Sequence, residues 1–299
     1  MKKIIVTGIT GAIGQYISEP LKELGFEVYG IGRRDFDTSD FNYIKADINN
    51  YFEIENIFNK IQAKYLIHLA WDLSKGYFHS NANFDMLTSS INILKYFKNN
   101  GGKKVIYIGT YAEYSFDNIP AKEYDKLNPT SVYAKCKNYL REVSELYCKN
   151  NNIDFCWARI FNTYGENDNN TRLFPYIINT LQNNEKVSIN YSQLEKDYIY
   201  SGDVAKILAL IINSDTTGII NICSGKGIQL RNLAVMIAKK LGKVNLLELK
   251  EISTEEALKT IGDNSRIINE LGFYNYTDIE QIIEQIIEQI ILGIKNEKN

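Results

Sequence analysis

Tyr133 and Lys137 stand four residues apart in the stretch Asn128-Pro-Thr-Ser-Val-Tyr133-Ala-Lys-Cys-Lys137. Pro129, with Thr130 or Ser131, reads as a helix start, and a helix from there puts the phenol and the ammonium on one face. A free phenol ionises near pH ~10. A neighbouring ammonium favours the phenolate, which makes Tyr133 a usable acid or base. A Tyr and a Lys at this spacing are common by chance, so a surface pair is the competing reading. Thr110 changes the balance. It follows the apolar run Val105-Ile-Tyr-Ile-Gly109, at the end of a strand, where its hydroxyl can bond a substrate oxygen and turn it toward Tyr133. Only His68 and His79 are present among the histidines. A His-based triad or a metal site has little material to work with, and no metal is expected.

A second constellation lies at the start of the chain. Gly8, Gly11 and Gly14 fall between the apolar run Lys3-Ile-Ile-Val-Thr7 and a following helical pattern. Gly8 permits a tight turn, Gly11 lets the backbone approach a pyrophosphate, and Gly14 allows close packing of helix on strand. The helix N-terminus supplies amide donors to the phosphates. At the first strand–helix junction of an α/β pattern, this spacing predicts a bound dinucleotide. The next strand ends Tyr29-Gly-Ile-Gly32-Arg33-Arg34. Gly32 falls at the position where NAD binders carry an acidic residue, and two arginines follow that suit the 2′-phosphate of NADP. Two competing readings stay open: Asp35 as the acidic residue in a shifted register, with NAD as cofactor, and two solvated surface arginines. Asp47, after the third strand, is the candidate partner for the adenine amino group.

The elements that must position these groups follow from the alternation of pattern. Strands are expected at Lys3–Thr7, Phe26–Ile31, Tyr43–Ala46, Tyr65–Ala70, Val105–Gly109 and Ile153–Ile160. Helices are expected from the glycine loop to about Leu24, over Asn81–Asn99 and over Thr130–Asn150. That rhythm predicts an α/β fold with a doubly wound parallel sheet. After Ile160 it breaks into an Asn-rich loop over 162–170. A helix near Pro175–Gln182, a strand near Val187, a strand–helix unit over Asp197–Asn213, a strand at Gly218–Cys223 and several tail helices follow. The last helix sets Ile279, Ile282, Ile283, Ile286, Ile287, Ile290 and Ile291 on one face. The expected division is a dinucleotide-binding domain over 1–160, with 197–225 returning to it, and a smaller, mostly helical substrate domain over 161–196 and 226–299.

Composition removes other classes. The chain has 299 residues, a formal net charge of −2 and a pI near 5.9, with no basic stripe, so no nucleic-acid partner is expected. No apolar stretch approaches the ~20 residues that cross a bilayer, and Met1–Thr7 does not read as a secretory leader. Cys136, Cys148, Cys156 and Cys223 lack metal spacing and read as reduced core thiols of a cytoplasmic protein.

The motifs then carry a resemblance. Thr7-Gly-Ile-Thr-Gly-Ala-Ile-Gly14, His68-Leu-Ala70, Gly109-Thr110, Tyr133 with Lys137, Arg159-Ile-Phe-Asn162-Thr-Tyr-Gly165, Lys196-Asp-Tyr-Ile-Tyr-Ser-Gly-Asp203, Asn221-Ile-Cys-Ser-Gly225, and Asp263-Asn-Ser-Arg266 before Leu271-Gly272 run in family order over nearly the whole chain. The sequence resembles the extended short-chain dehydrogenase/reductases, the NAD(P)-dependent nucleotide-sugar epimerases, dehydratases and reductases. The resemblance implies that Lys137 holds the nicotinamide ribose and lowers the pKa of Tyr133. It implies that Thr10, Ala12, Ile13, Ile48, Leu69, Ala70 and Ile160 line the cofactor beside the glycines, Arg33, Arg34 and Asp47. On the substrate side it implies Trp71, Thr110, Tyr111, Asn162, Arg172, Leu173 and Lys196, and a homodimer through the helices bearing Tyr133 and Asn81–Asn99. Two positions depart from the family pattern. Lys196 replaces a common Arg and loses its bidentate fork. Trp71 stands where a small residue is commoner, either as a stacking wall of the pocket or as core.

The resemblance also bears on the reaction. Dehydratases of this kind follow the Ser/Thr with an acidic pair; here Tyr111 and Ala112 hold those places and Glu113 comes one place late. The arginines speak for exchangeable NADPH and a net reduction, as in the 4-ketoreductases of deoxysugar synthesis of the CDP-abequose synthase type. The alternatives are an NAD-dependent nucleotide-sugar 4-epimerase and a catalytically silent dinucleotide sensor.

Overall fold

The computed structural model describes residues 1–166, 168–253 and 258–292. The rest of the expected substrate domain, 254–257 and 293–299, and one residue of the Asn-rich loop, 167, lie outside the described residues.

The first half alternates strands and helices: β1 (Lys2–Thr7), α1 (Ser18–Glu23), β2 (Phe26–Gly32), β3 (Asn42–Lys45), α2 (Tyr51–Ile61), β4 (Tyr65–His68), α3 (Ala82–Asn99), β5 (Lys104–Thr110), α4 (Val132–Asn150) and β6 (Asp154–Ile160). The second half adds β7 (Asn162–Tyr164), α5 (Leu173–Gln182), β8 (Val187–Ile189), β9 (Glu195–Tyr200), α6 (Ser201–Asn213), β10 (Gly218–Ile222), β11 (Gly227–Gln229), α7 (Leu230–Lys240), β12 (Leu247–Leu249), β13 (Lys259–Thr260), α8 (Ser265–Leu271) and α9 (Ile279–Ile291).

Seven strands form one parallel sheet in the order β10-β6-β5-β4-β1-β2-β3. The order reverses between β1 and β4, and ligands of open α/β sheets bind outside the strand carboxyl ends at such a switch point. Gly8, Gly32, Leu69 and Thr110 all follow or end strands on that edge.

Strand alternation sorts the core. Ile4 and Val6 face one side with residues of α1, α6 and α8; Ile5 faces the other with residues of α2, α3 and α4. A third apolar cluster joins α5, α7 and α9 to β8 and β9, from two separate stretches of chain. In α9, Ile282, Ile283, Ile286 and Ile287 are buried as the pattern predicts, but Ile291 is exposed. It falls in the last turn, beyond the helices that cover the others.

Two local expectations need correction. The glycine loop does not run straight into one helix: a 3₁₀ turn over Gly14–Tyr16 precedes α1. Pro20 lies in the first turn of α1 and has no amide hydrogen for the carbonyl four residues back, which breaks a continuous ladder there. Between β3 and β4 no helix was expected, yet α2 is there. Asn50 accepts from the Glu53 amide at its start, and Ile54, Phe58 and Ile61 are buried at helical spacing.

Candidate active site

Ser131 caps α4 by accepting from the Ala134 amide at 3.1 Å. This sets Tyr133 in the first turn and Lys137 one turn later, and both are buried. Thr110 ends β5 and caps the short 3₁₀ turn Tyr111–Glu113: its Oγ1 accepts from the Ala112 amide at 3.3 Å, and its own amide donates to Glu113 Oε1 at 2.9 Å. The Thr110 side chain lies close enough to the Tyr133 phenol to pull its pKa downward. The three residues singled out for proton transfer therefore share one site.

Burial sets their protonation. Desolvation raises the Tyr133 phenol well above its usual value, Tyr77 pushes the same way, and the Thr110 side chain opposes it. Desolvation pushes Lys137 down to about 7, with the Glu113 carboxylate pulling it upward. The expectation that Lys137 lowers the Tyr133 pKa is not met in the ligand-free protein. Its Nζ instead donates to the Ile108 carbonyl at 2.9 Å and stands 3.6 Å from the centre of the Trp71 ring, while it is 5.9 Å from that of Tyr133.

Glu113 is fully buried. Its carboxylate takes Arg159 Nε at 2.6 Å and Trp157 Nε1 at 3.2 Å, besides the Thr110 amide. Arg159 also donates to the Glu123 carbonyl at 2.7 Å and lies over the Tyr114 ring. A carboxylate so occupied has little freedom to move protons on a substrate, and it anchors the Thr110 turn from behind.

The glycine loop closes tightly. Gly8 has φ +72°, and a Cβ there would stand 2.7 Å from the Ala70 amide nitrogen. Behind it runs a directed chain. The Ala70 amide donates to Thr7 Oγ1, which meets His68 Nδ1 at 2.7 Å; His68 Nε2 meets Ser90 Oγ at 2.8 Å, and Ser90 donates to the Met86 carbonyl. Since Ser90 donates onward, it accepts from His68 Nε2–H, and Nδ1 accepts from Thr7. Desolvation, then the nearby Lys137, push His68 down to about 3, so it stays neutral and structural. Thr10, Ala12, Ile13, Leu69 and Ala70 are half-buried around the loop, with Ile48 and Ile160 buried nearby on the strand edge.

Strand β2 stops at Gly32, where a Cβ would stand 2.9 Å from the Tyr43 hydroxyl and 3.0 Å from Thr10 Oγ1. A longer side chain there would have to displace the Tyr43 and Thr10 side chains. Arg33, Lys45, Ala46, Asp47 and Glu53 line one depression. Arg33 and Arg34 are exposed, Asp35 pairs with Lys45 at 2.7 Å, and Asp47 accepts from the Asn49 amide at 2.9 Å.

On the far side, Arg172 precedes α5, which Leu173 opens, and donates to the Thr163 carbonyl at 3.2 Å. It stands 3.8 Å from Asp168, whose carboxyl burial pushes up to about 6 against the pull of that guanidinium. Asn162 donates to the Asp197 carbonyl at 3.0 Å, Tyr111 stacks on Phe161 at 5.8 Å, and Lys196 lies on β9 between β11 and β13. Trp71 reaches the Tyr133–Lys137 pair, whereas Arg33 and Arg34 lie apart at the end of β2.

Some neighbours escaped the sequence reading. Tyr77 and Phe78 set their rings 5.0 and 5.9 Å from that of Tyr133, and Asn83 holds Trp71. Tyr77 and Phe78 follow Gly76, which has φ +83°, in a stretch with no periodicity to announce them. The Glu113–Arg159 pair spans 46 positions, and only the late place of Glu113 marked it.

The residues present fit a dinucleotide: backbone fills the space a Cβ would need at Gly8 and Gly14, and the depression at β2 carries Arg33 and Lys45 beside Asp47 and Glu53. Among the described residues no group of three His, Cys, Asp or Glu could hold a metal ion, and no helix is long and apolar enough to cross a membrane.

Comparison with known proteins agrees. A CDP-abequose synthase of Yersinia pseudotuberculosis is 26% identical over 219 residues, 71% of this chain and 74% of that protein. A putative UDP-glucose 4-epimerase of Methanocaldococcus jannaschii is 25% identical over 255 residues, 80% of this chain and 82% of that protein. The structure of a UDP-glucose 4-epimerase of Thermotoga maritima with UDP-glucose superposes with a TM-score of 0.88 at 20% identity, over 98% of this chain and 100% of that one, which shows the fold. The model of the NAD dependent epimerase/dehydratase family matches residues 4–223, and the chain belongs to that family.

Proposed function

We propose that the chain reduces the C4 ketone of a nucleotide-linked 4-keto-6-deoxysugar with NADPH. The observation that carries this reading is the end of β2: Gly32 supplies no ribose-binding carboxylate of its own, and exposed Arg33 and Arg34 follow it, with Arg33 lining a depression beside Lys45, Asp47 and Glu53. Guanidinium groups there suit a 2′-phosphate. Bound along the glycine loop, the dinucleotide supplies the hydride. Tyr133, kept protonated by burial, gives its proton to the oxygen that develops negative charge at C4, and solvent restores it. Thr110 orients that oxygen, and Lys137 holds the nicotinamide ribose. Arg172, with Asn162, Lys196, Leu173 and Tyr111, takes the nucleotide diphosphate and sugar. The occupied state of Glu113 speaks against 4,6-dehydration. The substrate unit is 161–196 with 226–299, the dinucleotide unit is 1–160 with 197–225, and two copies pair through α3 and α4.

A second reading has a specific support, the relative named as a 4-epimerase, and would use tightly held NAD. The deciding experiment is NADPH and NADH oxidation with CDP-, GDP- and dTDP-linked 4-keto-6-deoxysugars. NADPH oxidation with one nucleotide is expected, and Arg33→Ser with Arg34→Ser should raise the KM for NADPH about tenfold while leaving that for NADH unchanged. Copurifying NAD, no net oxidation and scrambling at C4 would establish the epimerase instead.

A further inference from the structure

Trp71 is held more firmly than a wall of the pocket requires. Its Nε1 donates to Asn83 Oδ1 at 2.9 Å, and the Nδ2 of the same amide donates to the carbonyls of Tyr77 at 2.6 Å and Ser80 at 2.8 Å. Asn83 is buried on α3, so one amide with both donors engaged locks the indole to the turn that carries Tyr77 and Phe78. Those two rings and Trp71 pack around Tyr133, each at a steep angle to its ring.

The indole face receives the Lys137 ammonium. The charged or titratable groups around that ammonium are few. Glu113, from the 3₁₀ turn after β5, favours its charge, but Arg159 already pairs with Glu113 at 2.6 Å. His68, at the end of β4, is neutral and bonded to Thr7 and Ser90. Tyr133, on the same helix, keeps its proton. The remaining polar contact is the Ile108 carbonyl. A buried ammonium with its nearby carboxylate already shared needs other stabilisation, and an aromatic face offers it where water is excluded.

We infer that Trp71, locked by Asn83, is a positioning residue for Lys137, holding the side chain charged and aimed along the site wall before cofactor arrives. This rests on the reading of Tyr133 and Lys137 as the reacting pair, but its first test needs neither cofactor nor substrate. The chain has two tryptophans, at 71 and 157. The Trp71 emission, taken as wild type minus Trp71→Phe, is followed against pH in the ligand-free protein. A transition near neutral pH is expected, where Lys137 loses its proton, and it should vanish in Lys137→Met and in Lys137→Arg, which keeps its charge throughout. No transition in the wild type, or one that persists in Lys137→Arg, overturns the inference.

The second arm reads catalysis. Loss of the π face disfavours the charged amine, so Lys137 loses its proton at lower pH. The falling alkaline limb of kcat/KM for NADPH should therefore move down by about one pH unit in Trp71→Leu, and by less in Trp71→Phe. Asn83→Ala should move it in the same direction. A limb that stays in place in Trp71→Leu, while kcat falls at every pH, would show a merely structural wall. Absence of turnover with every sugar would sink the substrate reading and leave the emission test standing.

Discussion

Tyr133 and Lys137 occupy one helical face, but their surroundings give them opposite tendencies: burial keeps the phenol protonated and drives the amine toward neutrality. For a reduction, a protonated phenol is the form required. Tyr133→Phe should therefore retain NADPH binding and lose ~10²- to 10⁴-fold in turnover, checked by fluorescence titration beside steady-state rates. Unchanged turnover would remove Tyr133 from the chemistry. At this scale much of the site was legible, because Tyr133, Lys137 and Thr110 lie within or at the end of periodic elements. Their protonation was not legible, since desolvation depends on what packs around them.

The glycine loop shows how an element turns spacing into a binding surface. A Cβ on Gly14 would stand 2.4 Å from the Gly8 carbonyl oxygen and 2.6 Å from Ile9 Cα, both backbone atoms that cannot step aside. A Cβ on exposed Gly11 would meet the Gly8 carbonyl oxygen at 3.1 Å and otherwise faces the space a pyrophosphate would approach. Gly14→Ala should thus cost about 1–3 kcal/mol of stability and weaken NADPH binding, whereas Gly11→Ala should weaken binding with little change in Tm. Thermal melting and cofactor titration of the two variants separate these effects. Equal losses of stability in both would contradict the packing argument. Element existence was mostly readable from periodicity. The missed helix α2 had its signal in Ile54, Phe58 and Ile61, and the broken start of α1 had its signal in Pro20.

For the whole molecule, α3 and α4 leave an apolar surface outward. Tyr139, Val143 and Leu146 repeat at helical spacing on α4, with 56%, 50% and 61% of their surface exposed, and Phe84 on α3 is likewise exposed. Such a patch suits a self-complementary interface. Sedimentation should show a dimer, and Val143→Glu with Leu146→Lys should convert it to a monomer that still binds NADPH. A wild-type monomer across micromolar concentrations would discard the pairing.

The sequence by itself determined most of the strand–helix alternation of the first half, the glycine turn, the Tyr133–Lys137 face and Thr110 at a strand end. Each is written in residues close along the chain, where backbone period and turn geometry act directly. Only the tertiary structure decided that Glu113 is spent on Arg159, that Asn83 locks Trp71 over Lys137, and that Tyr77 and Phe78 enclose Tyr133. Most of these contacts join residues tens of positions apart, several of them in loops without period. Local pattern carries no trace of such meetings, and the electrostatics of the site follow from the meeting and its burial rather than from the residue types alone.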